Sequence, residues 1–149
     1  MFERRRRVPL RVVADTTYLI KALLWSGPAA LSYDACRRGV AQLVTSQEIL
    51  RELAQVLARP KFGPRLLGPV ETYVDDALHI AEVVSARADG VPVGLRDPND
   101  ASVIYTALAG QADLIVSDDS DLLVLKDVAG IAIVRPSDLL HTLGIAHER

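Results

Sequence analysis

The chain reads as short apolar runs separated by longer stretches of helical spacing. Residues 11–14 (RVVA) are brief and apolar and stop at Asp15, the pattern of a buried parallel strand. Thr16 or Thr17 then supplies a helix cap, and residues 18–24 read as a short helix. Pro28 opens a second helix at its first turn; Arg37 and Arg38 suit a helix C-terminus, and Gly39 stops it. Residues 42–45 (QLVT) form a second strand. Ser46 caps a helix in which Ile49, Leu50, Leu53, Val56 and Leu57 repeat with helical period through Ala58, until Pro60 ends it.

A connector rich in proline and glycine, RPKFGPRLLGP, leads to a helix over about 70–84. Residues 88–98 carry several glycine and proline breaks and read as an irregular crossing with a short strand at 91–93. Residues 99–109 are helical and closed by Gly110, residues 113–117 (DLIVS) are a strand, and 121–125 a helical turn. Residues 131–134 (IAIV) give the last strand, and Pro136 starts a helix toward Leu143. Strand and helix alternate throughout. That predicts an α/β fold, a three-layer α/β/α sandwich around a mainly parallel sheet of four to five strands.

The length of 149 residues fits one domain with a substantial core, with residues 1–9 as a basic, solvated N-terminal tail. The formal net charge of −2 excludes little, because its distribution is uneven. Arg4 to Arg7, Arg37, Arg38, Arg51, Arg59, Lys61 and Arg65 lie outside the acidic segments, which allows an acidic pit inside a basic rim. The single cysteine, Cys36, rules out an intramolecular disulfide and reads as core filler. No apolar run is long enough to span a membrane. The N-terminal MFERRRRVPL lacks the apolar segment of a signal peptide, so the expected location is the cytoplasm.

The chemistry concentrates where strands end. In an open parallel sheet the loops after the strand C-termini gather along one edge, where ligands bind. Asp15, the Asp97–Asp100 segment and the group Asp118, Asp119 and Asp121 all fall at such points. Two bare carboxylates about 4 Å apart repel by on the order of 4 kcal/mol at an effective dielectric near 20, so a converging set calls for a shared cation or proton.

Each acid also has a plainer reading. Asp15 can cap the following helix, and Asp97, with Pro98 behind it, is a natural cap. Asp100 can simply answer the positive end of its helix, or face the sheet edge. Glu48 fits a solvated face, whereas Glu52 flanks the apolar stripe and could either face solvent or point toward Asp15. Three acids within four positions after a buried strand exceed what one cap needs, and there the cation reading prevails. The donors are hard oxygens, and His79, His141 and His147 have no ligand-like spacing, which points to Mg²⁺ or Mn²⁺ and away from zinc. No P-loop or GxGxxG occurs, so nucleotide-dependent chemistry has no support.

Three segments in this order, VVADTTYLIKALL, TSQEILRELAQVLARPKF and RDPNDASVIYTALAGQADLIVSDDSDLLVL, resemble the PIN-domain ribonucleases, and in particular the PIN-family toxins of prokaryotic toxin–antitoxin systems. The resemblance covers nearly the whole chain. It implies RNA phosphodiester hydrolysis with Mg²⁺ or Mn²⁺, with Asp15, Glu52, Asp100 and Asp119 as the catalytic acids. Asp15, Asp100, Asp119 and the auxiliary Asp121 would be the metal ligands, and Ser117 would stand where the family has an orienting Thr or Ser. Asp97 matches the first acid of the family's DPxD segment and is a cap more plausibly than a ligand. One departure is plain: Thr17 stands where the family usually has Asn, which implies an altered hydrogen-bond shell. Arg37, Arg38, Arg51 and Arg96 are candidates for holding flanking RNA phosphates. The resemblance also implies a cognate antitoxin and a homodimer; Trp25, Tyr33 and Phe62 could serve such contacts or lie in the core. Two rival readings are a non-catalytic PIN-like interaction module and a haloacid-dehalogenase-like phosphatase. The second wants an Asp two positions after Asp15, where this chain has Thr17.

Overall fold

β1 (Leu10–Ala14) has its last three residues buried in a row, as a strand covered on both faces requires. The structure, a computed structural model, describes residues 9–86 and 98–146. β1 lies at the middle of the sheet, paired in parallel with β2 (Ala41–Thr45) on one side and β4 (Leu114–Val116) on the other, Val13 sitting opposite both Val44 and Ile115. β3 (Glu82–Val83) adds in parallel to β2, and β6 (Ile131–Val134) to β4. β5 (Asp127–Val128) closes the far side antiparallel to β6, giving the order β3-β2-β1-β4-β6-β5. The sheet is mixed and mostly parallel, and it is flanked by helices as the alternation predicts.

The helices are α1 (Thr16–Leu24), α2 (Pro28–Arg37), α3 (Gln47–Leu57), α4 (Val70–Ile80), α5 (Pro98–Ala109), the single turn α6 (Ser120–Leu123) and α7 (Pro136–Thr142). A 3-10 helix, Pro60–Arg65, fills the proline-rich connector. Ser46 caps α3 by accepting from the Ile49 N–H, and the apolar stripe Ile49, Leu50, Leu53, Val56 and Leu57 is buried along its full length. Burying each of these side chains contributes roughly 1.5–3 kcal/mol, so the stripe fixes how α3 lies on the sheet. No helix among the described residues is long and apolar enough to cross a membrane.

Two elements depart from the sequence pattern. The helix expected to reach residue 84 stops at Ile80, and Glu82–Val83 pairs instead with Val44–Thr45. Glu82 is fixed there by an ion pair to Arg11 at 2.9 Å. β5 is likewise only two residues long. Neither is long enough to show a period, and together they widen the sheet to six strands, against the four to five expected. The strand expected at 91–93 lies outside the described residues.

α5 ends where it presses most closely on the sheet. A Cβ added at Gly110 would stand 2.6 Å from Val44 Cγ1 and 3.2 Å from the Thr106 carbonyl oxygen. Glycine at that point is a packing requirement. At the other end of the same helix, Asp100 is carried to the C-terminal edge of the sheet.

Candidate functional site

β1 and β4 are adjacent in the sheet but about a hundred residues apart in the chain, and their connections leave in opposite directions. That is the arrangement that opens a crevice at the strand C-termini. Asp15 sits there as the residue after β1, only 5% exposed. Its carboxylate has two engaged oxygens: Oδ1 accepts from the Tyr18 N–H at 2.8 Å and caps α1, while Oδ2 accepts from the Ser117 hydroxyl. The capping reading of Asp15 is therefore correct as far as one oxygen goes. The other oxygen reaches across to the end of β4.

Ser117 is fully buried and links the two strand ends, because its Oγ also accepts from the Asp119 N–H at 2.8 Å. Asp119, half-buried, in turn accepts from the Asp121 N–H at 3.0 Å and caps α6. Asp121 itself is exposed. Burial pushes the Asp15 carboxyl up to about 6; the bonds from Ser117 and Tyr18 hold it down in part, and the charges of Asp119 and Asp118 push it up again. The neighbouring acids thus feel one another through this edge.

Glu52 comes from α3, half-buried, and accepts a hydrogen bond from the Thr16 hydroxyl at 2.5 Å. Of the two readings left open for Glu52, the inward one holds, since Thr16 directly follows Asp15. The hydroxyl that serves an acid here is Thr16; Thr17 is exposed. Asp100, in the first turn of α5, is buried at 7% exposure. α5 is tied to the start of α3 by the Ser46–Thr106 hydroxyl pair at 2.7 Å. Glu48 is exposed, as its helix position predicts. Asp97 and Arg96 lie outside the described residues.

The arginine expectations need correction. Arg37 and Arg38 fall just before β2 begins, so they stand where the parallel strands start, away from the edge that carries Asp15. Both are committed to ion pairs there: Arg37 is bidentate to Asp76 at 2.7 and 2.8 Å, and Arg38 reaches Asp34 at 2.9 Å. Arg51 is exposed on α3, next to Glu52. Lys21, Arg59, Lys61 and Arg135 instead line a groove of about 630 Å³ whose lining includes Thr17 and Asp118. Lys21 pairs with Asp118 at 3.2 Å, so Asp118 is held at the groove and does not simply face water. A signal for this wall exists in the sequence: Thr17, Lys21 and Trp25 recur every four residues and share one helix face.

Every donor gathered at this edge is an oxygen, a set suited to Mg²⁺ or Mn²⁺. Among the described residues no three acidic, histidine or cysteine side chains stand close enough to form a ready-made cage.

The fold is that of an α/β protein with an acid-bearing crevice at the strand C-termini. The PIN domain model matches residues 11–121, and the chain belongs to that family. Among solved structures, PAE2754 from Pyrobaculum aerophilum is similar at 17% identity and a TM-score of 0.57, with 91% of this chain and 90% of that chain covered. VapBC2 from Rickettsia felis, a complex bound to a DNA fragment from its promoter, is similar at 14% identity and a TM-score of 0.58, with 85% and 98% covered. At such identities the likeness is one of fold. No curated protein sequence matches the chain at significance.

Proposed function

We propose that this PIN-domain protein is a divalent-metal-dependent endoribonuclease and the toxin component of a toxin–antitoxin system. The observation that carries the reading is the chain of contacts Asp15–Ser117–Asp119, which ties the ends of β1 and β4 into one buried, charge-stressed acidic edge. Membership in a family of nucleases supports the same chemistry.

In this reading Asp15, Asp100 and Asp119 hold Mg²⁺ or Mn²⁺, with Asp121 assisting. When bound, the ion supplies positive charge for the scissile phosphate and lowers the pKa of the attacking water. Ser117 holds the Asp15 carboxylate in place and keeps it ionisable by donating to it. Thr16 holds Glu52 toward the same edge, where Glu52 accepts the proton from the attacking water. Lys21, Arg59 and Arg135, with Arg51 on the neighbouring helix face, retain the flanking phosphates of a flexible strand. Arg96 and Asp97 keep their proposed supporting roles, the first on phosphate and the second as a cap. The same reading has the protein act in the cytoplasm as a homodimer that a cognate antitoxin silences by covering the acidic groove.

The test is cleavage of a labelled single-stranded RNA with and without Mg²⁺ or Mn²⁺. Asp15→Asn and Asp100→Asn should each abolish metal-dependent cutting while the far-UV circular dichroism stays that of the folded protein. Wild-type cutting rates in both variants would refute the assignment. A calorimetric titration with millimolar Mg²⁺ that shows no binding would instead favour a non-catalytic module.

A further inference from the structure

We propose that the groove lined by α1 is a nucleobase subsite in which Trp25 is the stacking platform for an unpaired base of the same strand as the scissile phosphate. The proposal rests on the ribonuclease reading for the identity of the substrate; its geometry stands independently. The groove is lined by Thr17, Lys21 and Trp25 of the α1 face together with Phe62 and Asp118; Thr17 and Asp118 are close in sequence to Asp15 and Asp119. Asp15 and Trp25 cap opposite ends of α1, about 14 Å of helix apart, so a strand with its phosphate at the acids would lay a base farther along the strand, not the adjacent one, against Trp25.

The walls are mostly apolar, with Ile20, Val56 and Pro136 among them, and carry a set of charges that suits the base and phosphates of a nucleotide. Four cations, Lys21, Arg59, Lys61 and Arg135, face one carboxylate, Asp118, which is already paired to Lys21. That excess of positive charge fits a polyanion. The floor is aromatic. Phe62 meets the Trp25 indole edge-on at 6.4 Å and 85°, and the Arg65 guanidinium lies 4.0 Å from the indole centroid. Even with these two neighbours Trp25 stays 40% exposed, which leaves part of the indole open to a ligand. Every base has a π-face, so stacking of this kind tolerates any sequence and prefers unpaired strands. Trp25 acts here as a positioning residue.

The chain contains a single tryptophan, so its emission reports on this site alone. The experiment titrates the full-length protein, in EDTA so that no cutting occurs, with hexauridylate and with an abasic ribose-phosphate oligomer of equal charge. Hexauridylate should quench the Trp25 emission and bind about tenfold more tightly than the abasic oligomer. In a dye-anisotropy version, Trp25→Leu should lose that preference and Trp25→Tyr should keep it, with thermal melts showing both variants folded. Equal affinity for the two oligomers with unchanged emission overturns the subsite and leaves the aromatic face to a protein partner. Failure of both oligomers to bind overturns it as well. Quenching by an RNA that is never cut under Mg²⁺ would sustain the subsite and refute the nuclease reading, so the two failures are distinguishable.

Discussion

Replacing Asp15 by Asn keeps the shape of the side chain and removes its charge, which isolates the cost of ionising a carboxyl at the buried end of β1. In the folded protein burial raises that carboxyl from its ordinary 3.8 to about 6. A displacement of about two units corresponds to about 3 kcal/mol. Below pH 3.8 the group is protonated in both folded and unfolded chains, and no penalty applies. Between 3.8 and 6 the unfolded chain releases its proton first, so stability falls as pH rises. Above 6 the full cost is present. Asn has nothing to ionise, while its carbonyl oxygen can still accept from the Tyr18 N–H and its amide can donate to Ser117. The difference in unfolding free energy, Asn variant minus wild type, should therefore widen by about 3 kcal/mol between acid and neutral pH, in favour of the variant, and then level off. Urea unfolding followed by circular dichroism across that range, in EDTA, measures the difference directly. A gap that stays flat, or that narrows as pH rises, would refute the account of Asp15 as a buried and stressed acid. Under the proposed metal binding, millimolar Mg²⁺ should narrow the neutral-pH gap by stabilising wild type alone.

Ser117→Ala removes the donor to Asp15 and the acceptor of the Asp119 N–H. It should cost about 1–3 kcal/mol in chemical denaturation, and it should move the Asp15 titration, read by carboxyl-carbon NMR, to higher pH. Gly110→Ala would force a methyl into Val44 and the Thr106 carbonyl; a loss of about 1–3 kcal/mol is expected, and an unchanged melting temperature would contradict the close approach of α5 to β2. Thr45→Val exchanges a buried hydroxyl that has no hydrogen-bond partner among the described residues for a methyl of similar size. Stability should hold or rise by up to about 1 kcal/mol, whereas a clear loss would mean that the hydroxyl has a partner in solution.

Much of the edge was legible because strands and caps leave local marks. The run RVVA ending in Asp15, and DLIVS ending before Asp118, each announce a buried strand and the acid that follows it. Glu52 was ambiguous because a 3.6-residue period says only that it flanks the buried stripe. What resolves it is a hydroxyl thirty-six positions away, Thr16, and no local pattern carries that distance. Arg37 and Arg38 mislead because a count of charge along the sequence does not say at which end of the sheet a helix finishes. Arg37 pairs with Asp76 on another helix, and Arg38 with Asp34 on its own. Among the aromatic residues, Tyr33 is buried at 3% while Trp25 is 40% exposed, and an unaligned sequence has no means of separating the two. β3 and β5 escaped because two residues cannot show alternation.

The pairing of β1 with β4 sets an order of events during synthesis. Asp15 leaves the ribosome 102 residues before Ser117, which at about 5–20 residues per second is a delay of roughly 5–20 s. Once β2 has followed, β1 has a partner on one side and an unpaired edge on the other, the form of strand most prone to joining a neighbouring chain. The arrival of β4 ends that exposure and seats Asp15 in the same step. A nascent chain is thus without its completed acidic edge until the residues of β4 and those just after it have been made.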